Sequence, residues 1–173
     1  MIIKFFGVIL IILSGVLFGF SVKYKQYLRF RELQNFFEIV DVIYKEICVG
    51  LCDFKEALKK ANDYASKYNS KIIKSALDLH RDSDGESINA LWNSAIDRVR
   101  EYLTPYDEND VNLLKKFAVK LSCNDVELQK KNINEFKNVL TEHMANVKNR
   151  NDKIALIPKI SFYAGIIVAI VLF

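Results

Sequence analysis

Apolar residues in the middle of the chain recur at intervals of three and four, the spacing that places them on one face of an α-helix. The first long stretch with this pattern predicts a helix that continues from the N-terminal segment and ends near Gly50. Its predicted inner positions are Leu33, Phe36, Phe37, Val40, Ile43, Tyr44, Ile47 and Leu51. No stretch sustains the alternation of apolar and polar residues that a half-buried strand shows, so the pattern predicts an all-α fold.

Capping signals divide the next part of the chain. Asp53 and Glu56 have the spacing of a capping box and begin a second helix over residues 53–68. A third, short helix fits residues 70–81, and the turn at 82–87 ends it. The inner face predicted for the second helix is Phe54, Ala57, Leu58, Ala61, Tyr64, Ala65 and Tyr68.

Three more helices follow, which makes the predicted fold a six-helix bundle. Their boundary signals are a cap at Ser87, a stop at Thr104 and Pro105, a start at Asp107, and a start at Asn124 or Asp125. The inner positions of the fourth and fifth are Ile88, Leu91, Trp92, Ala95, Ile96 and Val99, then Val111, Leu114, Phe117, Ala118 and Leu121. Those of the long sixth are Leu128, Ile133, Phe136, Leu140 and Val147.

Two apolar runs bracket this bundle. Residues 5–22 are 18 residues without a charge, close to the roughly 17 to 25 that cross a bilayer as a helix. Residues 160–173 are 14 uncharged residues, which rise only about 21 Å as a helix, so this run spans only with help from earlier residues or a thinner bilayer. The predicted organisation is a transmembrane helix over 1–22, a helical bundle over 23–159 and a short transmembrane helix over 160–173. A cleaved signal peptide with a poor site at Gly19 and Ser21 is the alternative for the first run.

Basic residues lie on the inner flank of both apolar runs, whereas Lys4 alone lies on the other side. By the positive-inside rule, this distribution predicts that the bundle is cytoplasmic and that both termini lie across the membrane. The residues that carry this orientation are Lys23, Lys25, Arg29, Arg31, Lys148, Arg150, Lys153 and Lys159.

Composition adds little specific chemistry. The net charge of +4 is small, and the basic residues are concentrated beside the apolar runs. This distribution fits binding to anionic lipid better than binding to nucleic acid. The odd cysteine count, Cys48, Cys52 and Cys123, argues against a disulfide framework. Cys48 and Cys52 share a helix face and could be combined with His80 or His143 as zinc ligands, but core packing of the thiols is favoured because no second cysteine pair exists.

No phosphate-binding loop, nucleophile elbow or metalloprotease motif occurs in the chain. The sequence therefore predicts no catalytic residue, no metal ligand and no cofactor. A small membrane hydrolase is the alternative class, which a cleft with two convergent titratable groups would revive.

Several stretches together resemble stage III sporulation protein AB of spore-forming Firmicutes. "EICVGLCDFKEALKKA" (46–61) resembles the family's signature between its first two helices, and "LWNSAI" (91–96) its tryptophan helix. "FAVKLSCNDVELQKKNI" (117–133) resembles a third family segment, and the tail "AGIIVAIVLF" (164–173) the family's C-terminus. The chain has Phe117-Ala118 and Leu121-Ser122 where the family tends to have Phe-Gly and Leu-Gly, so it departs from the family pattern at both glycines.

The resemblance implies a non-enzymatic component of the sporulation channel, in the mother-cell membrane that faces the forespore. It also implies similarity to the cytoplasmic helical domain of the platform proteins of type II secretion and type IV pilus machines. The partners implied are a secretion-type ATPase and other membrane subunits of the channel. A membrane-bound adaptor unrelated to secretion platforms is the alternative. The residues expected to contact partners or to hold the framework are Glu46, Gly50, Asp53, Glu56, Asp125 and Gln129.

Overall fold

A computed structural model of the chain describes residues 2–82, 87–121 and 125–154, together with Tyr163 and Ile167. Only the backbone is described at 2–6, 8, 11, 12, 82, 153 and 154. The described helices are α1 (Ile2–Cys48), α2 (Phe54–Asp63), α3 (Lys67–Asp82), α4 (Ile88–Arg98), α5 (Glu108–Leu121) and α6 (Val126–Ile154), with a 3₁₀ turn at Arg100–Tyr102. These residues contain no strand, so the all-α prediction is confirmed for them.

The starts of α2, α4, α5 and α6 follow the predicted capping residues, whereas α3 begins at Lys67 and not at the predicted residue 70. Asp53 accepts a hydrogen bond from the Glu56 amide at 2.8 Å, and Ser87 accepts one from the Ala90 amide at 3.2 Å. Asp107 and Asp110 form a reciprocal pair, in which each side chain accepts from the other residue's amide at 2.9 Å. These bonds satisfy amides that would otherwise lack a partner at each helix start.

The chain divides into two compact units, and the larger comprises Arg31–Met144. Four aromatic side chains, one from each of α1, α4, α5 and α6, form the centre of its core: Phe36, Trp92, Phe117 and Phe136. The ring centroids of Phe36 and Phe117 lie 5.8 Å apart at 84°, and those of Trp92 and Phe117 lie 5.7 Å apart at 71°. Edge-to-face contacts of this kind add to the free energy gained by burying the rings.

Three residues predicted to face inward are exposed instead: Leu51 (77%), Tyr64 (64%) and Leu128 (47%). α1 ends at Cys48 and α2 at Asp63, so Leu51 and Tyr64 lie beyond the helix faces to which the periodicity assigned them. The prediction of one helix over 53–68 is wrong for the same reason, because α3 begins at Lys67. In the first turn of α6, Gln129 is buried in place of Leu128.

An ion-pair cluster links α1 to α6 within the larger unit. Asp41 accepts from the Nζ atoms of Lys137 at 2.6 Å and Lys45 at 2.7 Å. The hydrogen bonds from Lys137 and then Lys45 hold the pKa of the Asp41 carboxyl below its ordinary value. Because the folded pKa is the lower one, this contribution to stability is present near neutral pH and is lost in acid as Asp41 takes up a proton.

The second unit comprises Met1–Phe30 and Ala145–Phe173. Within it, the Asn151 side-chain amide donates to the Gln26 carbonyl at 3.2 Å, and Val147 is 2% exposed. Large apolar side chains on the N-terminal part of α1 are exposed, among them Leu10, Leu17, Phe18 and Phe20.

In the described part of the chain, none of the helices combines the length and the apolar character needed to cross a bilayer. The predicted C-terminal span over 160–173 lies outside the described residues apart from Tyr163 and Ile167. Also outside them lie residues 83–86 of the turn predicted at 82–87, the alternative helix start at Asn124, and Cys123.

Candidate functional site

The α1–α2 corner, defined as residues 46–60, holds four of the six predicted framework or partner residues: Glu46, Gly50, Asp53 and Glu56. The amides of Val49 and Gly50 both donate to the Lys45 carbonyl, at 3.1 and 2.9 Å, and close the last turn of α1. A Cβ atom on Gly50 would lie 2.9 Å from the Glu46 carbonyl oxygen, closer than real Cβ contacts come. Glycine is therefore required at this position by close backbone approach.

Glu46 joins the end of α1 to α2. Its Oε2 lies 2.5 Å from Lys60 Nζ and accepts from the Cys52 thiol at 3.4 Å. The hydrogen bond from Lys60 lowers the pKa of the Glu46 carboxyl, and the reciprocal bond raises the pKa of the Lys60 ammonium. Glu46 thus connects the end of α1 to α2, and Lys60 matches its charge.

Glu56 differs from the other predicted residues at this corner. Its carboxylate is 51% exposed and pairs with Lys59 at 3.3 Å, one turn further along α2. Asp53 caps α2, but the second half of the capping box is replaced by this surface ion pair. Glu56 is therefore available for contact with a partner.

The Gln129 side chain, in the first turn of α6, contacts both α5 and α1. It is 8% exposed, and its side-chain amide donates to the Leu121 carbonyl at the end of α5 at 2.8 Å. Its Oε1 lies 3.7 Å from the Cys48 thiol on α1, whose pKa is raised by burial. Asp125 caps α6 by accepting from the Glu127 amide at 2.8 Å and the Leu128 amide at 3.3 Å. Gln129 therefore connects α6 to α5 and α1, and Asp125 caps the start of α6.

Replacing Gln129 with alanine leaves the Leu121 carbonyl and the Cys48 thiol without their partner. We expect the free energy of unfolding of the full chain in detergent to fall by about 1–2 kcal/mol. The matched change, Glu56→Ala, removes only an exposed ion pair and should stay within about 0.5 kcal/mol of the parent. Denaturant unfolding followed by circular dichroism measures both values. Equal stabilities for the two variants would contradict the framework role of Gln129.

A buried polar network between α1, α3 and the α4–α5 connection was not predicted. Glu32 is 1% exposed and accepts a hydrogen bond from the Ser66 hydroxyl. The Asn69 side-chain amide donates to the Glu32 carbonyl at 3.0 Å and to Asn35 Oδ1 at 3.1 Å. The Tyr106 hydroxyl donates to Asn69 Oδ1 at 2.7 Å. Burial, and secondarily the Glu32 charge, raise the pKa of Tyr106 well above its ordinary value.

The sequence did contain a signal for this network. Glu32 lies four residues before Phe36, and Asn69 three before Ile72, so both occupy the periodic positions of a buried helix face. A polar residue at such a position needs a buried partner, and the partner here comes from another helix.

The remaining predictions of chemistry concern the cysteines and histidines. Within the described ranges, no group of three or more histidine, cysteine, aspartate or glutamate side chains is arranged to hold a metal ion. Cys48 meets Gln129, whereas Cys52 meets Glu46. His143 Nε2 lies 2.6 Å from Asp110 Oδ1, a carboxylate that is fully buried between α5 and α6. This pair links two helices of the bundle.

The residues expected to set membrane orientation fall into three groups. Lys23, Lys25, Arg31, Lys148 and Arg150 are exposed. Arg29 is 7% exposed, so it is a buried residue of its unit. The side chain of Lys153 and the whole of Lys159 lie outside the description.

The fold and these polar residues show the class of protein to which the chain belongs. It is an α-helical bundle in which most of the candidate polar side chains connect one helix to another. A family model then identifies the chain more closely, since the model of stage III sporulation protein AB matches residues 4–173. The chain belongs to the stage III sporulation protein AB family, and it is therefore a sporulation-related protein. No curated protein and no solved structure matches it.

Proposed function

We propose that this chain is a non-enzymatic, membrane-anchored component of the channel complex between mother cell and forespore. In this role it couples a cytosolic secretion-type ATPase to the membrane subunits of the complex. The observation that carries the proposal is the family match over residues 4–173, which includes the bundle and both apolar runs. The resemblance to secretion and pilus platform domains is the reason for expecting the bundle to contact the ATPase in the cytosol.

Anchoring in the mother-cell membrane is part of the proposal. Leu10, Leu17, Phe18 and Phe20 are each at least 60% exposed on α1. Several large apolar side chains exposed on one part of a helix are unfavourable in water and commonly mark membrane or protein contact. The exposed lysines at 23, 25 and 148 suit the headgroups of the cytoplasmic leaflet. We infer that the bundle faces the cytoplasm and that both termini lie on the opposite side.

The α1–α2 corner is the surface that we propose for the ATPase. Val49 is 70% exposed and Leu51 is 77% exposed on the turn between the two helices. Leu51 has a φ of 53°, a left-handed conformation that is unusual for leucine and presents its side chain on the turn. Glu56 adds an exposed carboxylate in the first turn of α2, the helix that follows this turn. An apolar centre with a charged edge is the usual composition of a protein interface.

Affinity purification from sporulating cells tests this proposal. The tagged full chain should retain the secretion-type ATPase and the channel subunits. Glu56→Arg, which reverses a charge at the proposed interface, should lower the ATPase yield while the channel subunits are retained. Glu101→Arg changes an exposed glutamate on the 3₁₀ turn and serves as the matched control.

The outcomes separate the alternatives. Recovery of the chain without the ATPase and the channel subunits would favour the independent adaptor and contradict the platform role. Equal ATPase yield from Glu56→Arg and Glu101→Arg would show that the α1–α2 corner is not the docking surface.

A further inference from the structure

A basic pocket lies between α3 and the place where α4 leads into the 3₁₀ turn. Its volume is about 350 Å³, within the range that small-ligand sites occupy. α3 contributes one wall, and Arg98, Val99 and Tyr102 contribute the other. The α3 residues are Lys71, Lys74, Ser75 and Asp78.

The charge of this pocket is not neutralised by the bundle. Three cationic side chains and one carboxylate line it, which leaves a net charge of +2. Lys71 Nζ lies 4.3 Å from the centre of the Tyr102 ring. Neither Lys74 nor Arg98 takes part in any ion pair among the residues that the structure describes. Asp97, the neighbour of Arg98, is instead paired with Lys115 at 2.6 Å.

Ser75 supplies an independent observation. It is 6% exposed, and its hydroxyl oxygen has no hydrogen-bond partner in the described structure. A serine within a helix commonly donates to the carbonyl four residues earlier, but this one does not. A buried hydroxyl without a partner is destabilising, and alanine at this position would avoid that penalty. The unpartnered hydroxyl therefore points to a polar ligand in the pocket.

The chemistry of the lining residues indicates which ligand fits. A phosphate monoester carries a charge of about −1.5 to −2 and three acceptor oxygens, which matches the net charge of the pocket. The Arg98 guanidinium can bind two phosphate oxygens side by side, while lysine acts as a point charge. We propose that this pocket binds a phosphate group, with Lys74 and Arg98 supplying charge and Ser75 donating a hydrogen bond. The exposed Tyr102 ring borders the pocket and can contact the remainder of the ligand.

Calorimetric titration of the full chain in zwitterionic detergent with inorganic phosphate tests the site. Ser75→Ala, Lys74→Gln and Arg98→Gln should each weaken binding by about tenfold or more, since each removes a hydrogen bond to a charged group. Lys131→Gln is the matched control, because it removes the same charge from an exposed lysine on α6 that has no ion pair among the described residues. Ser75→Ala is the decisive variant, since it leaves the net charge unchanged.

A second titration identifies the source of the phosphate group. Short-chain phosphatidic acid that binds at least tenfold more tightly than inorganic phosphate, and is weakened by the same variants, assigns the site to a lipid headgroup. Equal or weaker binding assigns it to a soluble phosphorylated ligand. The proposal is overturned if neither probe binds saturably, or if Ser75→Ala binds both as the parent does while its melting temperature is unchanged.

Discussion

Trp92→Ala should lower the free energy of unfolding by about 3–5 kcal/mol, the range for deleting a large aromatic side chain from a core. The indole is fully buried and packs against Phe117 at 5.7 Å and Phe36 at 6.4 Å between ring centroids. Its Nε1 also donates to the Leu114 carbonyl at 2.9 Å. Removing the side chain therefore opens a cavity at the meeting point of α1, α4 and α5 and leaves a carbonyl without that bond.

Two further variants separate these contributions. Trp92→Phe keeps an aromatic ring and loses the hydrogen bond, so its cost should be clearly smaller than that of Trp92→Ala. Tyr64→Ala removes an aromatic side chain that is 64% exposed and should change stability by about 0.5 kcal/mol or less. Denaturant unfolding of the full chain in detergent, followed by far-ultraviolet circular dichroism, gives all three values. A cost below about 1 kcal/mol for Trp92→Ala would contradict the packing described here.

Asn69→Ala is expected to have the second largest effect, a loss of about 2–3 kcal/mol. Asn69 is 1% exposed and connects three groups: the Glu32 carbonyl, Asn35 Oδ1 and the Tyr106 hydroxyl. Alanine makes none of these bonds, and water has little access to replace them. The Tyr106 hydroxyl retains the Glu32 carbonyl at 3.1 Å, which limits the loss.

A double-mutant cycle with Tyr106→Phe tests whether the two side chains act together. Because they share one hydrogen bond, the double variant should cost about 1 kcal/mol less than the sum of the single variants. Asn109→Ala, at an exposed asparagine on α5, is the control and should be nearly neutral. Additive costs within about 0.3 kcal/mol would show that Asn69 and Tyr106 are not coupled.

The starts of α2, α4, α5 and α6 could be predicted because their signals are local. Asp53, Ser87 and Asp125 cap helices through amides only two or three residues away, so the pattern of a short segment contains the whole interaction. The five residues predicted to face inward on α5, Val111, Leu114, Phe117, Ala118 and Leu121, are all buried, although Asp110 and Leu113 are buried as well. Helix ends were predicted less well. The exposure of Leu51 and Tyr64 depends on where α1 and α2 end, and the periodicity placed both ends too late.

The roles of the candidate residues could not be predicted in the same way. Gln129 was singled out by family resemblance, but its partners are the Leu121 carbonyl and a thiol 81 residues distant in the chain. Glu46 was expected at a partner or framework position, and its contact with Lys60, 14 residues later in the chain, could not be read from the sequence. No sequence pattern pointed to Ser75. The feature that distinguishes it is a buried hydroxyl without a hydrogen-bond partner within the described structure.

The sequence by itself determined the all-α class, the capped helix starts, the apolar faces and the family, since each of these depends on residue type and short-range spacing. Tertiary structure decided which polar residues join helices and which stay accessible. Glu32 and Tyr106 are 74 residues apart, and Lys74 and Arg98 belong to different helices that line one pocket. Hydrogen bonds and charge act over a few ångströms in space, so the pairing of residues distant in the chain is settled only when the helices pack.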